Sequence, residues 1–200
     1  MRRVFLGLGI AVLAAVWLGP LPEWARHAFF AHMTMHMGVV AVAAPLIALG
    51  IAGSNFPALL NPIPASALEL VIVWAWHAPA LHHIARHTTA GLIAEQGTFL
   101  ATGVLVWHAA FAGGGRGRAA GVIALLLTSM HMTLLGALLA LTPRPLYAHA
   151  GSFSGMSPLD DQHLGGAIML LVGGASYLTG GLALTVNLLR RTALETGEQA

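Results

Sequence analysis

Long apolar stretches recur along this chain, and nothing constrains its fold more. A hydrocarbon core of about 30 Å takes roughly 20 helical residues to cross. Six stretches come near or exceed that length: 4–21, 27–50, 66–85, 89–112, 119–142 and 158–189. Only 8% of the residues are charged, against roughly 25% in an ordinary soluble domain, so a fully water-facing surface cannot be built. The expected fold is all-α, a polytopic membrane bundle of about six transmembrane helices forming a single integral membrane domain over residues 1–200. Pro20 and Pro22 end the first span, Pro57, Pro62 and Pro64 break the chain before the third, and Pro143 and Pro145 end the fifth. Arg2 and Arg3 before an apolar run resemble a signal peptide. No A-x-A site follows that run, so the segment is read as a retained span.

An even number of spans places both termini on one side. Arg2, Arg3, Arg116, Arg118, Arg190 and Arg191 share that side, and Arg26, Arg86 and Arg144 lie opposite. The positive-inside rule then puts both termini in the cytoplasm of a cell whose inner (cytoplasmic) membrane holds the protein. A net charge of +2 is too small for a polyanion-binding face, so no nucleic-acid partner is expected. With no cysteine there is no disulfide framework, thiolate metal site or cysteine nucleophile. The GGGRGR run at 113–118 lacks the P-loop lysine pattern and reads as a basic turn.

The chain instead carries eleven histidines and eight methionines. On the expected topology, His27, His32, His36, His77, His82, His83, His87, His149 and His163 fall in the outer leaflet or just beyond it, leaving only His108 and His131 elsewhere. Ionisable groups at membrane depth are costly and face the bundle interior or a watery cavity, so a one-sided cluster needs a cause. In His32-Met33-Thr34-Met35-His36-Met37 the two histidines are four apart on one helical face, with Met35 beside them. Imidazole and thioether together suit copper, and thioether favours Cu(I). The alternative is a packing face, because methionine fills gaps and histidine can bond between helices.

Other positions divide in the same way. His77, followed by Ala78-Pro79, is either a ligand whose ring the proline turns inward or an interfacial residue beside Trp74 and Trp76. His82 and His83 are adjacent, so at most one faces the bundle, and both are read as interface residues. Glu95 sits in the outer half of the fourth span, where a carboxylate needs a metal, a histidine or a proton path as partner. Glu69 closes Ser66-Ala67-Leu68-Glu69, a capping box at the start of the third span. Ser157-Pro158-Leu159-Asp160 has the same form, which leaves Asp161 and His163 free to face a site. His131 is either a further ligand or a helix-to-helix hydrogen bond near Thr128. Gly166, Gly173 and Gly180, seven apart, make a seam for close helix approach.

Three segments carry a resemblance to a known family: His32-Met-Thr-Met-His36 leading to Ala44-Pro45-Leu46, Leu141-Thr-Pro-Arg-Pro-Leu-Tyr147, and Ser157-Pro-Leu-Asp-Asp-Gln-His-Leu-Gly-Gly-Ala-Ile-Met169. From about residue 25 to 185 the chain resembles the multi-span CtaG-type cytochrome c oxidase assembly factors associated with caa-type oxidases. A single-span copper donor that shares the CtaG name binds through cysteine and is a different protein. The resemblance implies a role in maturing a haem–copper oxidase by supplying or holding copper. Where Gln96 follows Glu95 the family often has histidine, and many members carry an additional span.

The expected function is therefore a copper-handling assembly factor and not an enzyme. Copper would meet His32, His36 and Met35 at the outer, periplasmic side, with His77, His163, Asp161, Glu95 and His131 completing or supporting the site. The expected partners are an oxidase subunit or other assembly factors, the lipid bilayer, and a second copy in a homo-oligomer. The rival reading is a membrane b-type cytochrome, because haem also takes histidine and methionine. A metal-dependent hydrolase using Glu95 or Asp161, and a scaffold whose histidines merely pack, are the remaining classes.

Overall fold

A computed structural model describes residues 1–52, 61–113, 116–147 and 155–197, the side chains at 116, 191, 192 and 194–197 excepted. His149, Pro57 and the glycines at 114 and 115 lie outside the described residues. All regular structure described is helical. The helices are α1 (Arg2–Leu18), α2 (Leu21–His27), α3 (Phe29–Met37, Gly38–Ala43 and Ala44–Ile51 in continuity), α4 (Pro62–His77), α5 (Pro79–His87), α6 (Thr89–Ala112), α7 (Arg116–Leu141) and α8 (Pro158–Ile168, Met169–Gly173 and Gly174–Gly197 in continuity).

Length and apolar composition qualify four helical stretches to cross a membrane: Phe29–Ile51, Thr89–Ala112, Gly117–Leu141 and Pro158–Arg190. The pair α1 and α2, bent by 47° at the Gly19-Pro20 break, makes a fifth if taken as one span. The protein is thus an all-α polytopic bundle with four or five such spans among the described residues, against the six expected. The difference lies in the stretch 66–85. Pro79 removes a backbone donor and disfavours helix at Ala78, which is extended at φ −65°, ψ 133°. That stretch is therefore split between α4, 16 residues long, and the short α5. α5 is also too polar to be a span, with three histidines and an arginine in nine residues.

α3 is the central element: it packs against α1, α6 and α8, while α7 closes the bundle against α4, α6 and α8. Both α3 and α8 contain a wide π-helical turn, Gly38–Ala43 and Met169–Gly173. Such turns free backbone carbonyls from the regular ladder, and neighbouring side chains use those of α3. Val40 O accepts from Trp107 Nε1 at 3.1 Å and Tyr177 Oη at 3.2 Å, and Ala41 O accepts from Ser176 Oγ at 2.7 Å. The glycine seam of α8 lies against its neighbours: a Cβ added at Gly166 would sit 2.5 Å from Ala140 N, and one at Gly180 2.4 Å from the Trp107 ring.

The two capping boxes part company. Ser157 caps α8 by accepting from Asp160 N at 3.2 Å, and its hydroxyl donates to Asp160 Oδ2 at 2.7 Å. Ser66, however, is no cap, because α4 begins four residues earlier with Asn61 as its N-cap and Pro62 at its first position. Ser66 Oγ instead pairs with Thr128 Oγ1 at 2.8 Å, and Glu69, fully buried, accepts from Tyr177 Oη at 2.5 Å. Residues 66–69 are therefore an interhelical polar contact within the bundle.

Candidate metal centre

Four imidazoles meet at the end of the bundle where α3 and α6 begin and α4 ends. His32 and His36 lie on one face of α3 by their i, i+4 spacing, with rings 6.4 Å apart and nearly parallel. His77 is the last residue of α4, and the break at Ala78–Pro79 turns the chain so that α5 brings His82 back over the cluster. The His77 ring lies 5.6 Å from His32 and 5.3 Å from His36, and the His82 ring lies 4.8 Å from His32. All four are buried. Phe29, Phe99 and Tyr147 wall them in, with Phe99 4.0 Å from His36 and Tyr147 4.4 Å from His82.

Glu95 enters from the second turn of α6, about two helical turns beyond the Thr88 cap. Its Oε2 accepts from Arg86 and from Gln96 Nε2 at 3.1 Å, and it stands 3.7 Å from His32 Nδ1. Arg86 belongs to the same face of α5 as His82, four residues on, so one short amphipathic helix delivers both an imidazole and the counter-ion. One donor atom from each of His32, His82 and Glu95 lies within 4.8 Å of the others. Modest side-chain rotations would bring such a set to the roughly 2.0–2.2 Å distances of metal–nitrogen and metal–oxygen bonds.

The hydrogen-bond inventory shows what this cluster can do. Buried polar atoms are normally paired, yet both ring nitrogens of His36 have no hydrogen-bond partner, nor have those of His32, Nε2 of His77 or Oε1 of Glu95. His77 also has a defined tautomer. Its Nδ1 lies 2.6 Å from Val73 O, and a carbonyl only accepts, so Nδ1 carries the proton and Nε2 of the neutral ring presents a lone pair. A backbone carbonyl orienting a ligand imidazole in this way is a recurring outer contact of metal sites. Tyr147 adds a second constraint by donating its hydroxyl to His77 O at 2.7 Å. Burial pushes its phenol above the ordinary range, so it stays a neutral donor. The buried His/His/Glu set could coordinate a metal ion.

The other expected site residues lie outside this cluster, although His131 is near enough to His36 to interact with it electrostatically. Met35, fully buried, lines a cavity of about 370 Å³ with Trp17, Leu92 and Gln96. Asp161 caps α3 across the bundle, accepting from Phe29 N at 2.7 Å and Phe30 N at 2.9 Å. It therefore anchors the helix that carries His32 and His36. His163 Nε2 bonds to Thr142 O at 2.9 Å, tying α8 to the end of α7. His131 is buried in α7 beside a groove that also includes Ser66 and Ser129, and neither of its nitrogens has a hydrogen-bond partner. Gln96 both supports Glu95 and accepts from Trp17 Nε1 at 3.2 Å.

Two residues of the cluster, His82 and Arg86, were not expected there. His82 was read as an interface residue with His83 and is buried, while His83 is exposed. Arg86 was read only as a topology signal. The i, i+4 spacing of His82 and Arg86 was the available sign, but it needed the helix to restart at Pro79.

The model of the cytochrome c oxidase caa3 assembly factor family (Caa3_CtaG) matches residues 1–191. No curated protein and no solved structure matches the chain. The family is one of assembly factors and not of catalytic enzymes. A match over nearly the full length, on an all-α membrane bundle with a buried imidazole–carboxylate cluster, means that the chain belongs to the caa3-type cytochrome c oxidase assembly factors.

Proposed function

We propose that this protein binds copper among His32, His36, His77, His82 and Glu95 and hands it to a haem–copper oxidase during that enzyme's assembly. The observation that carries the reading is the convergence of buried imidazole nitrogens without hydrogen-bond partners, because such atoms are costly unless something occupies them. The cargo is Cu(I). Arg86 already neutralises Glu95, so the remaining donors are neutral rings, and the cost of burying an ion rises with the square of its charge. Met35 lies toward a separate cavity, so the preference for the monovalent ion rests on charge and not on a thioether. An ion held without net negative charge around it exchanges readily, which suits a donor better than a storage site. The close packing of Phe29, Phe99 and Tyr147 on the rings favours a bare ion over a porphyrin.

In this reading the protein is a single membrane domain with six passes, α4 together with α5 supplying the one that falls short in length. Both termini face the cytoplasm, the site faces the periplasmic side of the inner membrane, and an oxidase subunit is the recipient. A direct test is copper content after anaerobic Cu(I) loading of the purified protein, with oxidase maturation followed in cells. His36→Ala with His77→Ala is expected to lose both the bound copper and the mature oxidase. Retention of both would overturn the proposal.

A further inference from the structure

A second pair of histidines stands on the neighbouring face of α5, about 100° round the helix from His82 and Arg86. His83 and His87 are exposed, four residues apart, and their rings lie 4.1 Å from one another at 47°. The i, i+4 arrangement points both side chains from one helical face, the same spacing that lets two histidines of a helix hold one metal ion. The helix is restarted by Pro79 and capped off at Thr88, so the pair sits on a short rigid element. Between this pair and the buried cluster lies a pocket of about 210 Å³ whose wall includes His82, His83, His87, Arg86 and Tyr147. His82 thus borders the pocket on one side and meets the His32 ring edge-on on the other, 4.8 Å between centroids.

We propose that His83 and His87 form a water-side capture site for a late transition-metal ion, and that His82 passes the ion inward from the pocket to His32. The second half rests on the copper reading of the buried cluster; the first half does not. A buried site walled by aromatic rings gives an incoming hydrated ion no means of shedding its water in steps. An exposed chelate supplies that step, replacing bound water by imidazole before the ion leaves bulk solvent. The pocket then offers the next imidazole within reach. Each transfer forms one metal–nitrogen bond and breaks another, with the oxidation state unchanged and no proton or electron moved. Arg86 in the pocket wall does not oppose entry as a free charge would, because its guanidinium is paired with Glu95.

The test is an anaerobic Cu(I) titration of the full-length protein in detergent, against a chromogenic Cu(I) chelator, with loading followed by stopped flow. Two classes of binding equivalent are expected in the unmodified protein. His83→Ala with His87→Ala, both on an exposed face, should lose the weaker class and load the tighter one several-fold more slowly to the same final occupancy. His32→Ala with His36→Ala should lose the tighter class and keep the weaker. An unchanged number of equivalents in the His83/His87 variant overturns the capture site. Loss of the weaker class with an unchanged loading rate overturns the inward transfer. If instead the His32/His36 variant titrates like the unmodified protein, the buried-cluster reading fails, and the surface pair stands or falls on its own equivalent. Matching elution and helical content in all three proteins confirm that each is folded.

Discussion

The same bundle holds two polar clusters, one at the histidine end and one around Glu69. On the shared face of α4, Glu69 lies two helical turns from His77, about 12 Å along the axis, with Val73 between them. Around Glu69 most side chains have found one another, although Oε2 of Glu69 has no hydrogen-bond partner: Tyr177 bonds to Glu69 and Val40 O, Trp107 to the same carbonyl, and Ser66 to Thr128. These contacts join α3, α4, α6, α7 and α8, and they use the carbonyls that a π-helical turn sets free. At the histidine end the imidazoles of His32 and His36 have no hydrogen-bond partner, and the ion pair of Arg86 and Glu95 holds the frame around them. Burial alone does not distinguish the two. The degree of satisfaction does, with one unpaired oxygen on Glu69 against both nitrogens of His32 and of His36, since a paired polar group holds helices together, whereas an unpaired one is kept at a cost that binding can offset.

That contrast can be tested by substitution, and the largest effect should come from the ion pair. Glu95→Ala leaves Arg86 buried without its carboxylate, and breaking a buried pair in this way costs about 3–5 kcal/mol. Thermal unfolding in detergent should show it, and Arg86→Met with Glu95→Gln should recover most of the loss. If the single variant is as stable as the unmodified protein, the pair is not the frame of the site. Next comes Glu69→Ala, which removes the acceptor of Tyr177 and should cost about 1–3 kcal/mol while leaving the copper bound per protein unchanged. A drop in copper there would merge the two clusters into one functional unit.

Tyr177→Phe deletes the donor but keeps the ring packing, so a loss of about 0.5–1.5 kcal/mol is expected from unfolding measurements, again without change in copper. The smallest change in stability belongs to His36→Leu. Replacing an unsatisfied buried imidazole by an apolar side chain should shift stability by less than about 1 kcal/mol, with stabilisation as the expected sign. Copper binding should nevertheless fall, as metal analysis would reveal. A large destabilisation in that variant, with copper intact, would make His36 a packing residue and erase the difference between the clusters.

Part of this site could be read directly from the chain. His32 and His36 share a helical face by spacing alone, and a carboxylate at position 95 in an apolar run demands a partner. His77 was legible as a candidate because Pro79 follows it. His82 was not, since adjacency to His83 says that one of two faces inward without saying which. Glu69 was misread because the pattern Ser66-x-x-Glu69 fits a helix start, and only the position of Pro62 as the first helical residue moves that start upstream. Asp161 was correctly freed from its own helix cap, but its two backbone partners come from residues 29 and 30, more than 130 positions away. No local pattern encodes such a contact.

The sequence by itself determined that this chain is a membrane helical bundle, where most of its helices begin and end, and that histidine gathers near one end of it. Those features follow from apolar run length, proline position and the 3.6-residue period, all of which act over short stretches of chain. The tertiary structure decided which histidines meet, which carboxylate they meet and which polar groups are left without partners. Helix order and rotation about each axis settle those questions, and both arise from packing among α3, α4, α5 and α6. Hydropathy carries no information about either, because every face of a buried helix is apolar enough to point inward.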